Sequence, residues 1–249
     1  MAQYMRDKHV QWTLDDCGTL TISGTGGIDN FDHETHDNIP WYKDRDCIKK
    51  IIIEDGVTSI GNLSFECCEN MTEVKIPKSV QVIGYSAFYD CTSLREINIP
   101  DSVTKICSGA FEDCSSLEKV TLSTNLTTIC GCNTIVYEYY SHGIGGTFET
   151  CIALKSITIP EGVVFIGGYA FGYCSSLNEI KLPRTLKKIY QQAFQGCTGL
   201  KNITLPDSVI YVGDKVFNDC TNLEKIYYKT GSAFEDKLLT GNNAELIAY

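Results

Sequence analysis

Positive charge is scarce in this chain. Against 31 Asp and Glu stand only 21 Lys and Arg, a net charge of −10, so the surface as a whole repels phosphate backbones and anionic lipid and offers no basic stripe to nucleic acid. Roles in DNA, RNA or membrane-surface binding are excluded on that ground. Long apolar runs are missing too. Nothing reaches the ~18 residues needed to span a bilayer, and the opening MAQYMRDKHVQWTL has no uninterrupted apolar core of a secretory signal, so as written the chain reads as soluble, without membrane insertion and untargeted. Histidine is sparse: the four residues, at positions 9, 33, 36 and 142, neighbour no Cys or Ser in a nucleophile pattern. No catalytic set emerges, and the expectation is no enzyme and no cofactor.

What the chain has in abundance is a 23-residue period, cleanest over 97–119, INIPDSVTKICSGAFEDCSSLEK. Matching positions fall at Ile51, Val74, Ile97, Val120, Ile157, Ile180, Ile203 and Ile226, each step 23 residues except the 37 between Val120 and Ile157. A fixed period of this length means stacked coils of a solenoid whose core grows with each coil. The segment Leu94-x-x-Ile97-x-Ile99 alternates like a strand, and stacking such strands makes a parallel sheet buried on its inner face. Proline after it cannot donate to the ladder and ends the strand. A second extended step, such as Val103 to Ile106, is expected on the opposite wall. Seven of the ten phenylalanines occupy the Ala-Phe corner that follows, a core spine rather than a ligand box.

Thirteen cysteines would ordinarily suggest a disulfide framework, but seven of them (Cys68, Cys91, Cys114, Cys151, Cys174, Cys197, Cys220) share one repeat position and so form a column. Neighbouring coils stand about 4.8 Å apart, whereas bridged cysteines want Cβ atoms ~3.8 Å apart on converging vectors. The column is read as small buried hydrophobes with weak thiol donors facing the turn backbone. Off the column, Cys107 and Cys130 occupy one position in adjacent coils and are expected to touch, with Cys132 as a competing partner. Cys17 and Cys47 both lie ahead of the array, and a Cys17–Cys47 bridge is open to them in an oxidising compartment.

Three regions are expected. Residues 1–50 form a cap: HVQWTLDDCGTLTISG reads as a hairpin whose Trp12, Leu14, Leu20 and Ile22 cover the open face of the first coil, followed by a polar loop. His33 and His36 in that loop, with Asp29, Asp32 and Asp37, invite a metal reading, but His-x-x-His on a loop is no ligand pattern and a solvated loop is favoured. Seven repeats fill 51–225, with extra residues at 131–144, GCNTIVYEYYSHGI. Residues 226–249 close the array, with a short helix capped by Ser232, having Glu235 at its third position and stopping at Gly241.

The unit V/I-x-I/L-P-x-x-V/L-x-x-I-G-x-x-A-F-x-x-C-x-x-L, with the entry W-T-L-D-D-C-G-T-L-T-I-S-G-T-G and I-E-D-G-V-T-S-I-G, resembles the leucine-rich repeat of the BspA-like class. The resemblance implies an α/β-type or mainly β solenoid, with a parallel sheet, an N-terminal β-hairpin cap and a short C-terminal helical cap. It also implies an extracellular or cell-surface protein that adheres to host matrix or to another cell surface; a cytoplasmic chain is the alternative.

Two surfaces are candidates for binding. The insertion brings Tyr137, Tyr139, Tyr140 and His142, large amphipathic groups on a loop projecting from a rigid scaffold; the plain alternative is tyrosines folded back on the coil. The outward columns of the first strands carry Arg95, Lys155, Lys181 and Tyr227 among charges of alternating sign, which reads mainly as solvated surface with cross-strand pairing. A non-enzymatic recognition or adhesion module acting as a monomer on a protein partner is therefore expected. Alternatives are a structural spacer, a carbohydrate-binding surface short of aromatic platforms, and, weakest, a hydrolase built from the His33/His36 loop and Tyr140 with His142.

Overall fold

A computed structural model of the 249-residue chain describes residues 3–4, 9–32, 34–131 and 145–249. It is a mainly β solenoid. Each coil lays down a first strand, Glu96–Asn98 for example, then turns and lays down a shorter second strand, Lys105–Ile106, on the opposite wall. Strands pair parallel with the equivalent residues one coil away: Val120 faces Ile97, and Ile189 faces Ile166. In most first strands of the array the inward residue is buried and its neighbours are not, the period-2 pattern that the alternating sequence imposes, although Val120 and Ile180 are only partly buried.

The corner between the second strand and the next coil holds the stack together. Phe65, Phe88, Phe111, Phe148, Phe171, Phe194 and Phe217 are all essentially fully buried, and successive rings stack with centroids 5.3 to 5.7 Å apart. Trp41 continues the spine, stacked on Phe65 at 5.5 Å, and Trp12 meets Trp41 edge-on at 5.9 Å. One residue type at a 23-residue spacing thus becomes a single aromatic column, each ring contributing roughly 1.5–3 kcal/mol of burial. Alongside it runs the cysteine column. Cys91, Cys114, Cys151, Cys174, Cys197 and Cys220 each donate through Sγ to the carbonyl of the corner Phe of the coil before, at 3.0 to 3.3 Å. The thiol is small enough to fit the corner and satisfies a turn carbonyl with no strand partner.

The corners are tight, and two residues in most coils adopt left-handed backbone, as at Ser86 (φ 47) and Asp90 (φ 56), the fourth coil having Thr150 alone (φ 60) among the described residues. Their amides bond carbonyls one residue before the equivalent position of the next coil, Ser86 N to Ser108 O at 3.1 Å and Asp90 N to Glu112 O at 2.9 Å, which offsets the strain of a left-handed non-glycine residue, about 1–2 kcal/mol.

At the N-terminal end the strands Val10–Leu14 and Thr19–Gly24 form an antiparallel hairpin, and the second pairs parallel with Lys50–Ile53, the first strand of the array. Trp12, Leu20 and Ile22 are buried beneath it and Leu14 packs partly against the same core. At the far end Glu245–Ala248 pairs parallel with Lys225–Tyr228 and covers that edge. The closing helix is a single turn, Glu235–Leu238, led by Phe234 with no side-chain cap. Ser232 does not cap it: its hydroxyl donates back to Lys229 O at 2.6 Å, stabilising the preceding turn instead. Gly241 does stand at positive φ just beyond.

In the structure Cys17 and Cys47 are both free, exposed thiols. A backbone seam is what brings these segments together. Lys49 N donates to Gly18 O at 2.9 Å, and a Cβ on Gly18 would stand 2.3 Å from Cys47 O. The main chains meet there while both cysteine side chains stay at the surface.

Candidate functional site

Of the residues singled out from the sequence, Tyr137, Tyr139, Tyr140, His142, Cys132 and His33 lie outside the described residues. The chain leaves the array at Gly131, directly after the second-wall strand Thr128–Ile129, and returns at Gly145. Gly131 lies hard against the next coil, where a Cβ would stand 2.0 Å from Gly168 O, so the exit is wedged against coil 5 (157–179).

Most first-wall cations are paired, Lys201 and Lys225 being without a salt bridge among the described residues. Arg95 and Lys155 both reach Glu118, at 3.5 and 3.4 Å, and Lys181 meets Glu179 at 3.5 Å. Lys119 with Glu96 at 2.6 Å and Lys50 with Glu73 at 3.0 Å extend the same ladder. Tyr227 stands apart from them at the C-terminal end. This face is a largely neutralised mosaic, and exposed pairs of this kind contribute little energy, about 0–1 kcal/mol each.

The second wall is different. Its two outward positions per coil, from Thr58 and Ser59 in coil 1 (51–73) to Ile210 and Tyr211 in coil 7 (203–225), include Lys105, Lys187 and Lys188 and no Asp or Glu at all. In a chain with 31 carboxylates this is a locally positive face. Over coils 5 to 7 it also turns apolar. Ile210 is 69% exposed, Tyr211 40% and Val164 39%, with Phe165 and Tyr190 half-buried between them. Phe165 meets Tyr190 edge-on at 6.0 Å, Tyr190 tilts against Tyr211 at 5.7 Å, and Lys237 lies 5.8 Å over the Tyr211 ring. Isolated exposed apolar groups are ordinary; several gathered on one wall make it a candidate interaction surface. These residues do not announce themselves along the chain, since each stands in a short, different-looking segment. The signal is the 23-residue alignment of the second step, Val164-Lys187-Ile210 and Phe165-Lys188-Tyr211.

Where the chain returns from its extra residues, two carboxylates converge. Glu112 Oε2 accepts from Gly145 N at 3.1 Å and Glu149 Oε2 from Gly146 N at 2.8 Å. A Cβ on Gly145 would lie 2.4 to 2.5 Å from oxygens of both, so the two acids face each other across that glycine. Burial, then the neighbouring Glu149 and Asp113, push the Glu112 carboxyl up to about 8; burial also raises Glu149. The pair holds a proton at neutral pH and ties down the return of the chain. Close by, Thr147 Oγ1 donates to the carbonyl of Cys107 at 3.4 Å and of Cys130 at 2.7 Å, and both cysteines are free thiols. Burial raises the thiols of the column and of Cys107 and Cys130, which suppresses the reactive thiolate. Among the described residues no group of three or more His, Cys, Asp or Glu is arranged to hold a metal ion, and no helix is long and apolar enough to cross a membrane.

Comparison with known proteins supplies the family. The family model described as BspA type Leucine rich repeat region matches in six copies, over residues 41–133 and 145–242. The break between the two stretches falls within the extra residues. Among solved structures, the chain is similar to the T. pallidum Leucine Rich Repeat protein, at 24% identity and a TM-score of 0.64, covering 99% of this chain and 100% of that one. It is also similar to a leucine-rich repeat protein from Bacteroides ovatus ATCC 8483, at 24% identity and a TM-score of 0.61, covering 96% and 67%. At that identity the likeness establishes the fold. No curated protein matches.

Proposed function

The chain belongs to the BspA type leucine-rich repeat family, and from that premise we propose that it is a non-enzymatic, monomeric recognition module that binds another protein through the second wall of coils 5 to 7. The observation that carries this reading is the exposed patch of Val164, Ile210 and Tyr211 on a wall stiffened by the phenylalanine spine. A rigid scaffold presenting apolar anchors loses little entropy on binding, and aromatic and aliphatic anchors carry most interface energy. In the bacterial cell-surface setting that the family suggests, the activity is adhesion to host matrix or to another cell.

A glycan is the less favoured ligand. Sugars stack on flat aromatic faces, whereas Phe165 and Tyr190 are nearly perpendicular at 87° and Tyr211 is tilted by 54° and overhung by Lys237. The test is adhesion of the purified chain to immobilised matrix proteins and to whole cells, with the double substitution Ile210→Asp and Tyr211→Ser beside it. Loss of adhesion in the variant supports the reading. Equal adhesion by both, or none by the intact chain, removes it and leaves a spacer.

A further inference from the structure

The patch has a centre as well as a rim. Lys187 lies between Val164 and Ile210 in one column, and Lys188 lies between Phe165 and Tyr211 in the next. Adjacent rungs are about 4.8 Å apart, so each ammonium stem is flanked on both sides by apolar side chains within one rung. Among the described residues no carboxylate compensates these charges. On the first wall Lys50, Lys75, Lys119, Lys155 and Lys181 pair with glutamates at 2.6 to 3.6 Å while Lys201 and Lys225 do not; neither Lys187 nor Lys188 has a salt bridge among the described residues, and no outward second-wall position in any coil carries a carboxylate that could supply one. On this flank Asp214 is bound to Lys237 at 2.7 Å.

We infer that the partner is an acidic protein segment, one whose carboxylates meet Lys187 and Lys188 while its aliphatic side chains rest on Val164, Ile210 and Tyr211. The inference rests on the reading above and adds the partner's chemistry. Charge complementarity selects the partner, because a basic segment would bury two lysines beside its own cations, and like charges brought together at an interface cost several kcal/mol. The apolar flanks supply desolvation, which strengthens the ion pairs once water is excluded. The chain's own net charge of −10 also favours selectivity: the neutralised first wall offers an acidic segment no comparable excess of positive charge.

The experiment is fluorescence anisotropy with three labelled peptides in which Val alternates with Glu, with Gln or with Lys, against the intact chain and three variants. The expected result is binding of the Glu peptide about tenfold tighter than the Gln peptide and no binding of the Lys peptide. The preference should vanish in the double variant Lys187→Glu with Lys188→Glu, and should weaken as salt rises from about 0.05 to about 0.5 M. Ile210→Ser, which removes the apolar contact without adding charge, should weaken the Glu and Gln peptides alike, and Arg95→Glu on the first wall should change nothing. Equal binding of Glu and Gln peptides, or binding of single-stranded DNA or phosphatidylserine vesicles as tightly as the Glu peptide, overturns the inference. The adhesion assay separates the two claims. If Ile210→Asp with Tyr211→Ser abolishes adhesion but the lysine reversal does not, the patch stands and the acidic partner falls. If neither variant alters adhesion, the patch itself is wrong.

Discussion

The carboxylate pair at the return of the extra residues gives the most quantitative consequence. Replace Glu112 by Gln, which keeps a carbonyl oxygen for Gly145 N and removes the charge. In the folded chain the Glu112 carboxyl is pushed from an ordinary 4.5 up to about 8, first by burial and then by Glu149. The folded state therefore keeps a proton that the unfolded chain releases near 4.5, so stability is greatest below that pH, falls as pH rises from 4.5 to about 8, and is level beyond. At 1.36 kcal/mol for each tenfold change, the displacement sets a ceiling of about 5 kcal/mol; local relaxation and water access at a half-buried site reduce it to roughly 2 kcal/mol. Glu112→Gln removes that burden. The variant should match the parent near pH 4 and exceed it by about 2 kcal/mol at pH 8.5, or roughly 5 °C in Tm for a chain of this size. Thermal unfolding followed by circular dichroism at both values measures the gap. A gap that is constant with pH, or that favours the parent at high pH, would refute the reasoning.

Two further outcomes follow from the stack. Phe111→Ala opens a hole in the spine between rings at 5.3 and 5.5 Å and should cost about 3–5 kcal/mol, measured by urea unfolding. A thiol reagent added to native protein should modify Cys17 and Cys47 within minutes, while the six buried donors from Cys91 to Cys220 react only on unfolding; peptide mass spectrometry distinguishes the two sets.

The coil itself is legible in the sequence because one physical constraint repeats. Ile97, Phe111, Cys114 and Leu117 each recur at the same offset and each is buried, so period and burial report the same thing. The proposed interaction face is harder to read because no single residue type repeats there. Val164, Lys187 and Ile210 share a column in which a lysine interrupts two aliphatic residues, and only alignment of the second step reveals that carboxylates are absent from it. First-wall charges stand out because they alternate, yet alternation is what neutralises them, as Arg95, Glu118 and Lys155 show. The pairing of Glu112 with Glu149 depends on Gly145 and Gly146 returning between coils, a contact across 33 residues of chain for Gly145 that no local pattern encodes. Ser232 reads as a helix cap from its position alone, but the backbone turns at Lys229 and claims the hydroxyl first.

The central claim is that recognition occurs on the second wall of coils 5 to 7, and amide hydrogen exchange of the chain with and without a bound adhesion partner tests it most directly. Slowed exchange should be confined to peptides covering Val164 and Phe165, Lys187 to Tyr190, and Ile210 and Tyr211, with peptides holding Arg95, Lys155 and Lys181 unchanged. Protection on those first-wall peptides, with the second wall unaffected, would contradict the account.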